Sequence, residues 1–174
     1  MRFTTFLAPL ALVASTVTAS GATISDAIGV INTVTLELQS KVAGWKGPPD
    51  LLGTLPIIAV STELLKDINN ATKTAKASAP LDALEALTVA IAINNLSGSV
   101  NSTISTIIAR KRDFDKLLLS PVILLNLELE KDATDRLGVA LADKVPEELK
   151  GAAATLQATI DGYFDNGINA YKLF

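Results

Sequence analysis

Residues 24–45, ISDAIGVINTVTLELQSKVAGW, decide the fold. Ile24, Ile28, Ile31, Thr35, Leu38, Val42 and Trp45 recur at steps of three and four, which lines them along one face of an amphipathic helix. Gly47-Pro48-Pro49 then stops it. The spacing predicts a helix from about Ser25 to Lys46, with Thr23 as N-cap and Asp26 completing a box-like start.

The same period runs outward from that segment. A second helix is expected from about Leu55 to Lys76, capped by Thr54 and tolerating Pro56 in its first turn. Its stripe is Ile57, Val60, Leu64, Ile68 and Ala71 or Thr72, widened by Ile58 and Leu65, and Ser78-Ala79-Pro80 ends it. A third stretch begins near Leu81 and carries Leu84, Leu87, Val89, Ile91 and Ile93. Asn94 to Ser99, with Gly98 and several poor helix formers, suggests a break or kink. Val100, Ile104, Ile107 and Ile108 resume the pattern toward Phe114, as one bent helix or as two. Ser120-Pro121 reads as a capping hydroxyl followed by proline at the first helical position. Ile123, Leu124, Leu127, Thr134, Leu137 and Leu141 continue from it and end before Val145-Pro146. The last helix starts at Pro146-Glu147-Glu148, whose acids suit a positive helix N-terminus. Its buried face is Leu149, Ala153, Leu156, Ile160, Phe164, Gly167 or Ile168, and Tyr171. Nothing alternates with period two for long. The expected fold is all-α, a single-domain bundle of five or six amphipathic helices, with antiparallel neighbours joined by short links.

The start of the chain sets the compartment. Arg2, an apolar run from Phe3 to Val17, and Val17-Thr18-Ala19 at a cleavage position form the pattern of a secretory signal peptide over 1–19. The helical domain is then 20–174. The run is shorter and more hydroxylated than the roughly 20 apolar residues a spanning helix needs, so the protein is not expected to be membrane-spanning. Tyr171-Lys172-Leu173-Phe174 provides no hydrophobic tail, so no GPI signal is expected. These features predict a secreted, extracellular or wall-associated protein.

Absence narrows the chemistry. With no His and no Cys, Ser-His-Asp and Cys-His nucleophile systems are excluded, as are His- and Cys-based zinc sites. No catalytic residue, metal or cofactor is expected. Asp113, Asp115, Glu128, Glu130 and Asp132 read as solvated surface beside Lys131 and Arg136. Arg110-Lys111-Arg112 reads as a solvated helix face, and Trp45 as packing. Loss of Arg2 with the leader takes Lys+Arg from 15 to 14 against 18 Asp+Glu, a mature charge of −4. Such a chain suits neither nucleic acid nor an anionic membrane surface.

Two features point to function. Asn70-Ala71-Thr72, Asn95-Leu96-Ser97 and Asn101-Ser102-Thr103 are glycosylation sequons that the leader would place in the right compartment. Two of them flank the suspected break, as on an exposed corner. The second feature is apolar excess: Leu55–Val60, Leu87–Ile93 and Leu117–Leu127 hold more aliphatic side chains than one narrow stripe requires. Such area either packs inside or meets an apolar partner. Each buried acyl CH₂ gives about 0.8 kcal/mol, so a long chain needs little polar chemistry to bind. The candidate lipid-contact residues are Ile57, Val60, Leu64, Leu84, Leu87, Ile91, Ile104, Ile108, Leu124 and Leu127.

Three segments of the second half carry a family resemblance: Lys111-Arg112-Asp113-Phe114-Asp115 leading to Ser120-Pro121-Val122, then Leu141-Ala142-Asp143-Lys144-Val145-Pro146, and Ile160-Asp161-Gly162-Tyr163-Phe164 through Ile168-Asn169-Ala170-Tyr171. In this order they resemble the fungal hydrophobic surface-binding protein A family, which includes cell-wall galactomannoproteins. The resemblance implies a secreted, helical, often glycosylated protein. It implies adsorption to hydrophobic surfaces, in some members recruiting a secreted polymer-degrading hydrolase, and fatty acid held among the helices. The expected function is therefore non-enzymatic binding of fatty-acid-like lipid, adsorption to hydrophobic surfaces, or both. The alternative is a structural wall mannoprotein or antigen without a ligand.

Overall fold

The computed structural model describes residues 20–172; the expected signal peptide lies outside the described residues. Six α-helices follow in order: α1 Gly21–Gly44, α2 Leu55–Ala77, α3 Ala83–Ala109, α4 Lys111–Lys116, α5 Ser120–Ala142 and α6 Lys150–Tyr171. Short 3₁₀ turns at Leu52–Thr54 and Glu147–Leu149 lead into α2 and α6. The predicted stripes are buried. Ile24, Ile28, Ile31, Leu38, Val42 and Trp45 line the inner face of α1, and Ile57, Val60, Leu64 and Ile68 that of α2.

The five long helices close on themselves. α1 packs on α2 and α3, α2 on α5, α5 on α6, and α6 returns to α3. This is a ring, and its neighbours are not all antiparallel as the short links suggested. Along α1 and α3, Gly21 meets Glu85, Gln39 meets Thr106, and Ala43 meets Arg110, so the two run in the same direction. Ser61–Glu130 and Asn69–Arg136 make α2 and α5 parallel too. Tyr171 on Ile107 and Gly167 against Ile104 do the same for α3 and α6. The links achieve this by crossing the ends of the ring instead of joining adjacent helices. Residues 78–82 cross one end, where Leu81 is buried, its N–H donates to the Lys144 carbonyl, and Lys144 Nζ donates to the Ser78 carbonyl.

α4 crosses the opposite end. Phe114, fully buried, stacks on Trp45 at 4.9 Å between centroids and lies 6.5 Å from the Tyr171 ring. Trp45 Nε1 donates to the Asp50 carbonyl, 2.8 Å away. The Tyr171 hydroxyl donates to the Ile107 carbonyl at 2.7 Å. This aromatic plug closes one end of the ring. Arg110 contributes as well. Its guanidinium donates to the Ala43 and Trp45 carbonyls at the end of α1 and pairs with Asp113 at 3.1 Å, so it ties α1 to α4 instead of forming a free surface face. The helical pattern expected to run on to Phe114 is interrupted there, at Arg110.

Several local expectations change for tertiary reasons. α1 begins at Gly21, not Ser25, and Thr23 lies inside it. The Gly21 N–H donates to Glu85 Oε1 of α3 at 3.1 Å, and a Cβ at Gly21 would sit 2.6 Å from Glu85 Cβ. That close approach replaces a local cap with one from the neighbouring helix. Glu85 also completes a capping box with Asp82 at the start of α3, where the apolar pattern alone gave no sharp boundary. Thr54 and Ser120 stand at the predicted starts but do not cap. The Thr54 hydroxyl donates to the Leu51 carbonyl and that of Ser120 to Asp115. α3 runs unbroken through Asn94–Ser99, because Leu96, Ser97 and Val100 are held in the core and Thr103 Oγ1 satisfies the Ser99 carbonyl. α6 starts at Lys150, after a 3₁₀ turn over the expected Glu147 and Glu148.

The plug should be a major source of stability. Phe114→Ala is expected to cost about 3–5 kcal/mol, the range for emptying a buried aromatic site. Chemical denaturation followed by circular dichroism measures it, and a loss under about 1 kcal/mol would show that α4 is not packed as described.

Candidate functional site: an apolar interior with one carboxyl

A ring of five helices leaves a gap along its own axis. At an interaxial distance of ~9–10 Å the axes stand ~8 Å from a common centre, and subtracting a helix radius of ~5 Å leaves a channel ~3 Å in radius. Inward side chains must close that channel, and here they do so incompletely. A narrow void of about 30 Å³ remains between Ile31, Leu38, Leu64, Ile68, Leu96, Val100, Ile104, Leu137, Ile160 and Phe164. That is room for a water or two and well below the ~300–1,000 Å³ of small-molecule sites, so a ligand reaches the axis only as these side chains move apart.

Further spaces adjoin it on both sides. Toward the aromatic plug it shares Leu38, Ile107 and Glu130 with a second space of about 20 Å³ bounded by Ile57, Ile123 and Leu127. Toward the other end it shares Leu96, Leu137 and Ile160 with a space of about 210 Å³ between α3, α5 and the start of α6. That space in turn shares Ile93, Leu141, Ala153 and Leu156 with an apolar groove of about 470 Å³. The groove is walled by Ala86, Leu87 and Ala90 of α3 and by Val145, Pro146 and Leu149. Alanines supply its width. Where other helix pairs meet through Leu and Ile, α3 and α6 face each other here through Ala83, Ala86, Ala90, Ala152 and Ala153. This also explains why Leu149, Ala153 and Leu156, expected in the core, are only half-buried.

The predicted contact residues divide between inside and outside. Leu64 and Ile104 line the central void, and Ile57 and Leu127 line the space toward the plug. Val60 is buried in the same core, with Ile108 and Leu124 packed half-buried against it. Leu87 lies at the groove. Leu84 and Ile91 turn outward, 73% and 56% exposed, so they share the α3 surface with Leu87 and not the interior. A second outward strip runs along α5 through Val122, Leu125 and Leu129. α3 is long and apolar enough to cross a membrane by length and composition; in this fold it is one wall of the ring, apolar on two faces. The residues that join the void to the groove are Leu96, Leu137, Leu156 and Ile160. Periodicity marks three of them only as core and does not single out Leu96 at all.

One expectation is overturned. Glu130 is buried, not surface. It belongs to the inner stripe of α5, one step from Leu127 and Ala133, and it fills the gap between Leu127 and Thr134 in the predicted periodicity. That gap is the signal that could have found it. Its Oε1 accepts from Ser61 Oγ of α2 at 2.7 Å. Burial pushes its carboxyl up to about 7, with the Ser61 hydroxyl opposing the rise. The other carboxylates behave as surface groups. Asp113 pairs with Arg110, and Asp132 with Arg136. Asp115 takes bonds from Lys111 and Ser120, which hold its carboxyl below the usual range. Glu128 is exposed. Among the described residues no cluster of three or more acidic, His or Cys side chains is placed to hold a metal. All three sequon asparagines, Asn70, Asn95 and Asn101, are exposed, the last two on the outer face of a continuous helix and not at a corner.

A closed ring of helices around an apolar axis, with an alanine-walled groove at one end, defines a class: a helical bundle with an apolar interior. The family model for hydrophobic surface binding protein A matches residues 21–143, and the chain belongs to that family. It is 28% identical to cell wall mannoprotein 1 of Aspergillus fumigatus over 99% of its length, and 29% identical to that of Aspergillus flavus over 98%. It spans 61% of the length of either relative. Among solved structures, AfMp4p in complex with palmitic acid superposes with a TM-score of 0.84 at 29% identity, covering 88% of this chain and all of that one. Ligand binding domain 2 of the Penicillium marneffei MP1 protein, complexed with multiple arachidonic acids, shares the fold at a TM-score of 0.79 and 20% identity, covering 86% and 94%.

Glu130 makes stability depend on pH in a definite direction. The folded state holds this proton more tightly than the unfolded chain, whose carboxyl titrates near 4.5. Its contribution is complete below that value and is lost as pH rises toward about 7, a change of ~3 kcal/mol at ~1.4 kcal/mol per unit. Glu130→Gln should remove this component. The difference in unfolding free energy between wild type and variant, followed from acid to neutral pH, is expected to slope against the wild type, and a flat difference would contradict the burial described.

Proposed function

We propose that the protein is a secreted, non-enzymatic binder of fatty-acid-like lipid, which it holds in the apolar interior of its helical ring. One observation carries this reading: the central void, the space beside it and the α3–α6 groove adjoin through shared apolar residues, so modest shifts of Leu96, Leu137 and Ile160 would open an apolar path from the surface to the middle of the bundle. Shape and chemistry agree with a flexible hydrocarbon chain. The central lining is aliphatic apart from Phe164, three threonines and Glu130, and each methylene buried in it contributes about 0.8 kcal/mol. The relative solved with palmitic acid covers the same span at 29% identity, which supports the same ligand class here.

The outward leucines serve a second part of the function, adsorption to hydrophobic surfaces. Leu84, Leu87 and Ile91 recur along one strip of α3, and Leu118, 84% exposed, stands beside the plug. The family name fits such strips, and exposed apolar clusters are where soluble proteins meet apolar partners. A secreted polymer-degrading hydrolase delivered to such a surface is the macromolecular partner this part of the reading allows. Secretion with wall association accords with relatives that are cell wall mannoproteins, and Asn70, Asn95 and Asn101 are proposed to carry glycans.

Three measurements separate these elements. Delipidated protein should bind palmitic acid, and Leu137→Trp, which fills the junction of the two inner spaces, should weaken binding at least about tenfold at a stability cost of about 1–3 kcal/mol. Failure of the delipidated wild type to bind palmitic acid would dismiss the carrier role. Replacing Leu84 and Ile91 together with Ser should reduce depletion onto polystyrene while sparing palmitic acid binding; loss of lipid with adsorption intact would reverse the assignment. Protein secreted by a fungal host should lose mass on N-glycanase treatment, and an unchanged mass would remove the sugars.

A further inference from the structure

Three threonines line the central void with Glu130, and their hydroxyl protons are already committed to main-chain carbonyls. Thr35 donates to Ile31, Thr103 to Ser99, and Thr134 to the carbonyl of Glu130 itself. Glu130 differs. Ser61 donates to Oε1, and among the described residues no other side chain hydrogen-bonds to the carboxyl. It also lines both the central void and the space toward the plug, of about 30 and 20 Å³, which a head group would widen on entry and which lie beyond the larger spaces adjoining the groove. Leu38 of α1, Ser61 of α2, Ile107 of α3, Phe114 of α4 and Phe164 of α6 line those two voids, and Glu130 is their only ionisable residue. Leu141 at the groove lies eleven positions further along α5, about 16 Å of helical rise, comparable with an extended long-chain acyl group.

We propose that Glu130, oriented by Ser61, is the head-group site for the lipid, and that it selects free long-chain carboxylic acids, which enter head first and leave their tails toward the α3–α6 groove. This inference rests on the lipid-binding function proposed above and adds the polarity of the ligand and the class of its head. The protonated Glu130 carboxyl donates to the carboxylate of the ligand, a charge-assisted bond of the strong kind. The window for that bond is set by two titrations. An alkyl carboxyl ionises near the ordinary ~4.3 of a free acid, while burial holds Glu130 neutral to about 7. Between these limits the two carboxyls share one proton. Above them two negative charges would face each other in an apolar cavity, which is unfavourable. A neutral fatty alcohol has no such conflict, since its hydroxyl can donate to the ionised carboxylate. The rival arrangement places the head at the mouth, where Lys150 borders the wider space.

The test compares palmitic acid with its alcohol, 1-hexadecanol, on the delipidated full chain. Affinity for the acid should fall about tenfold for each pH unit above about 7, while affinity for the alcohol stays within about twofold. Glu130→Gln should bind both with no pH dependence in this range. Ser61→Ala, which keeps the carboxyl, should move the midpoint for the acid upward, because the Ser61 hydroxyl favours the ionised form. Circular dichroism confirms that each variant is folded. An acid profile identical in wild type and Glu130→Gln overturns the proposal, as does loss of acid preference in Lys150→Ala but not in Glu130→Gln. If wild type binds neither ligand at any pH, the lipid-binding function fails and takes this site with it; if it binds both with pH-independent affinity, only the head-group site fails.

Discussion

The structure depends on one packing constraint: five helices closed into a ring leave a channel on their axis that inward side chains must fill, and here they fill it with small gaps to spare. A pair of helices, or a four-helix bundle, can interdigitate its ridges and grooves completely. A pentagonal ring cannot, unless large aromatic residues occupy the axis. This chain has one Trp, two Tyr and five Phe in 174 residues, and it places Trp45, Phe114 and Tyr171 together at one end. The plug closes that end. The middle is left mainly to Leu, Ile, Val and Thr, with Phe164 and Glu130 among them, and the other end to alanines. The gradient from aromatic to aliphatic to alanine along the axis gives a closed end, a narrow middle and an open groove.

Topology maintains the ring. Parallel packing of α1 on α3, α2 on α5 and α3 on α6 requires links that cross the ends, and those links form the lids. Residues 78–82 and 143–149 bind each other at the open end through Leu81 and Lys144, while α4, with Arg110 holding the end of α1, occupies the other. With no disulfide available in a chain without cysteine, these crossings and the buried stripes are what hold the helices around a loosely packed centre. The gaps along the axis forfeit contacts that a fully packed core would make. A ligand that enters there would recover them, so binding and stability are coupled.

Much of this is legible in the amino-acid sequence. The inner stripes of α1 and α2 follow directly from residues spaced three and four apart, and every predicted core position on α1 is buried. The lack of His and Cys removes large classes of chemistry by itself. Three things are not legible, each because the answer lies between helices. Helix order around the ring depends on where short links cross, and link length alone suggests antiparallel neighbours. The start of α1 at Gly21 is set by Glu85 in another helix. Exposure of Leu84 and Ile91 cannot be separated from burial of Val89, because α3 is apolar on two faces and periodicity does not say which one turns inward. Glu130 is the exception. It occupies a vacant position in the α5 stripe, and the ordinary preference of carboxylates for solvent masks it.

The central claim is that the chain takes its apolar ligand inside the ring and not on its surface strips. Intermolecular nuclear Overhauser effects between ¹³C-labelled palmitic acid and the protein methyl groups test it most directly. The account predicts strong effects from the acyl methylenes to Ile104, Leu137 and Ile160 and none to Leu84 or Ile91. Effects confined to Leu84, Leu87 and Ile91, with the inner methyl groups silent, would contradict it.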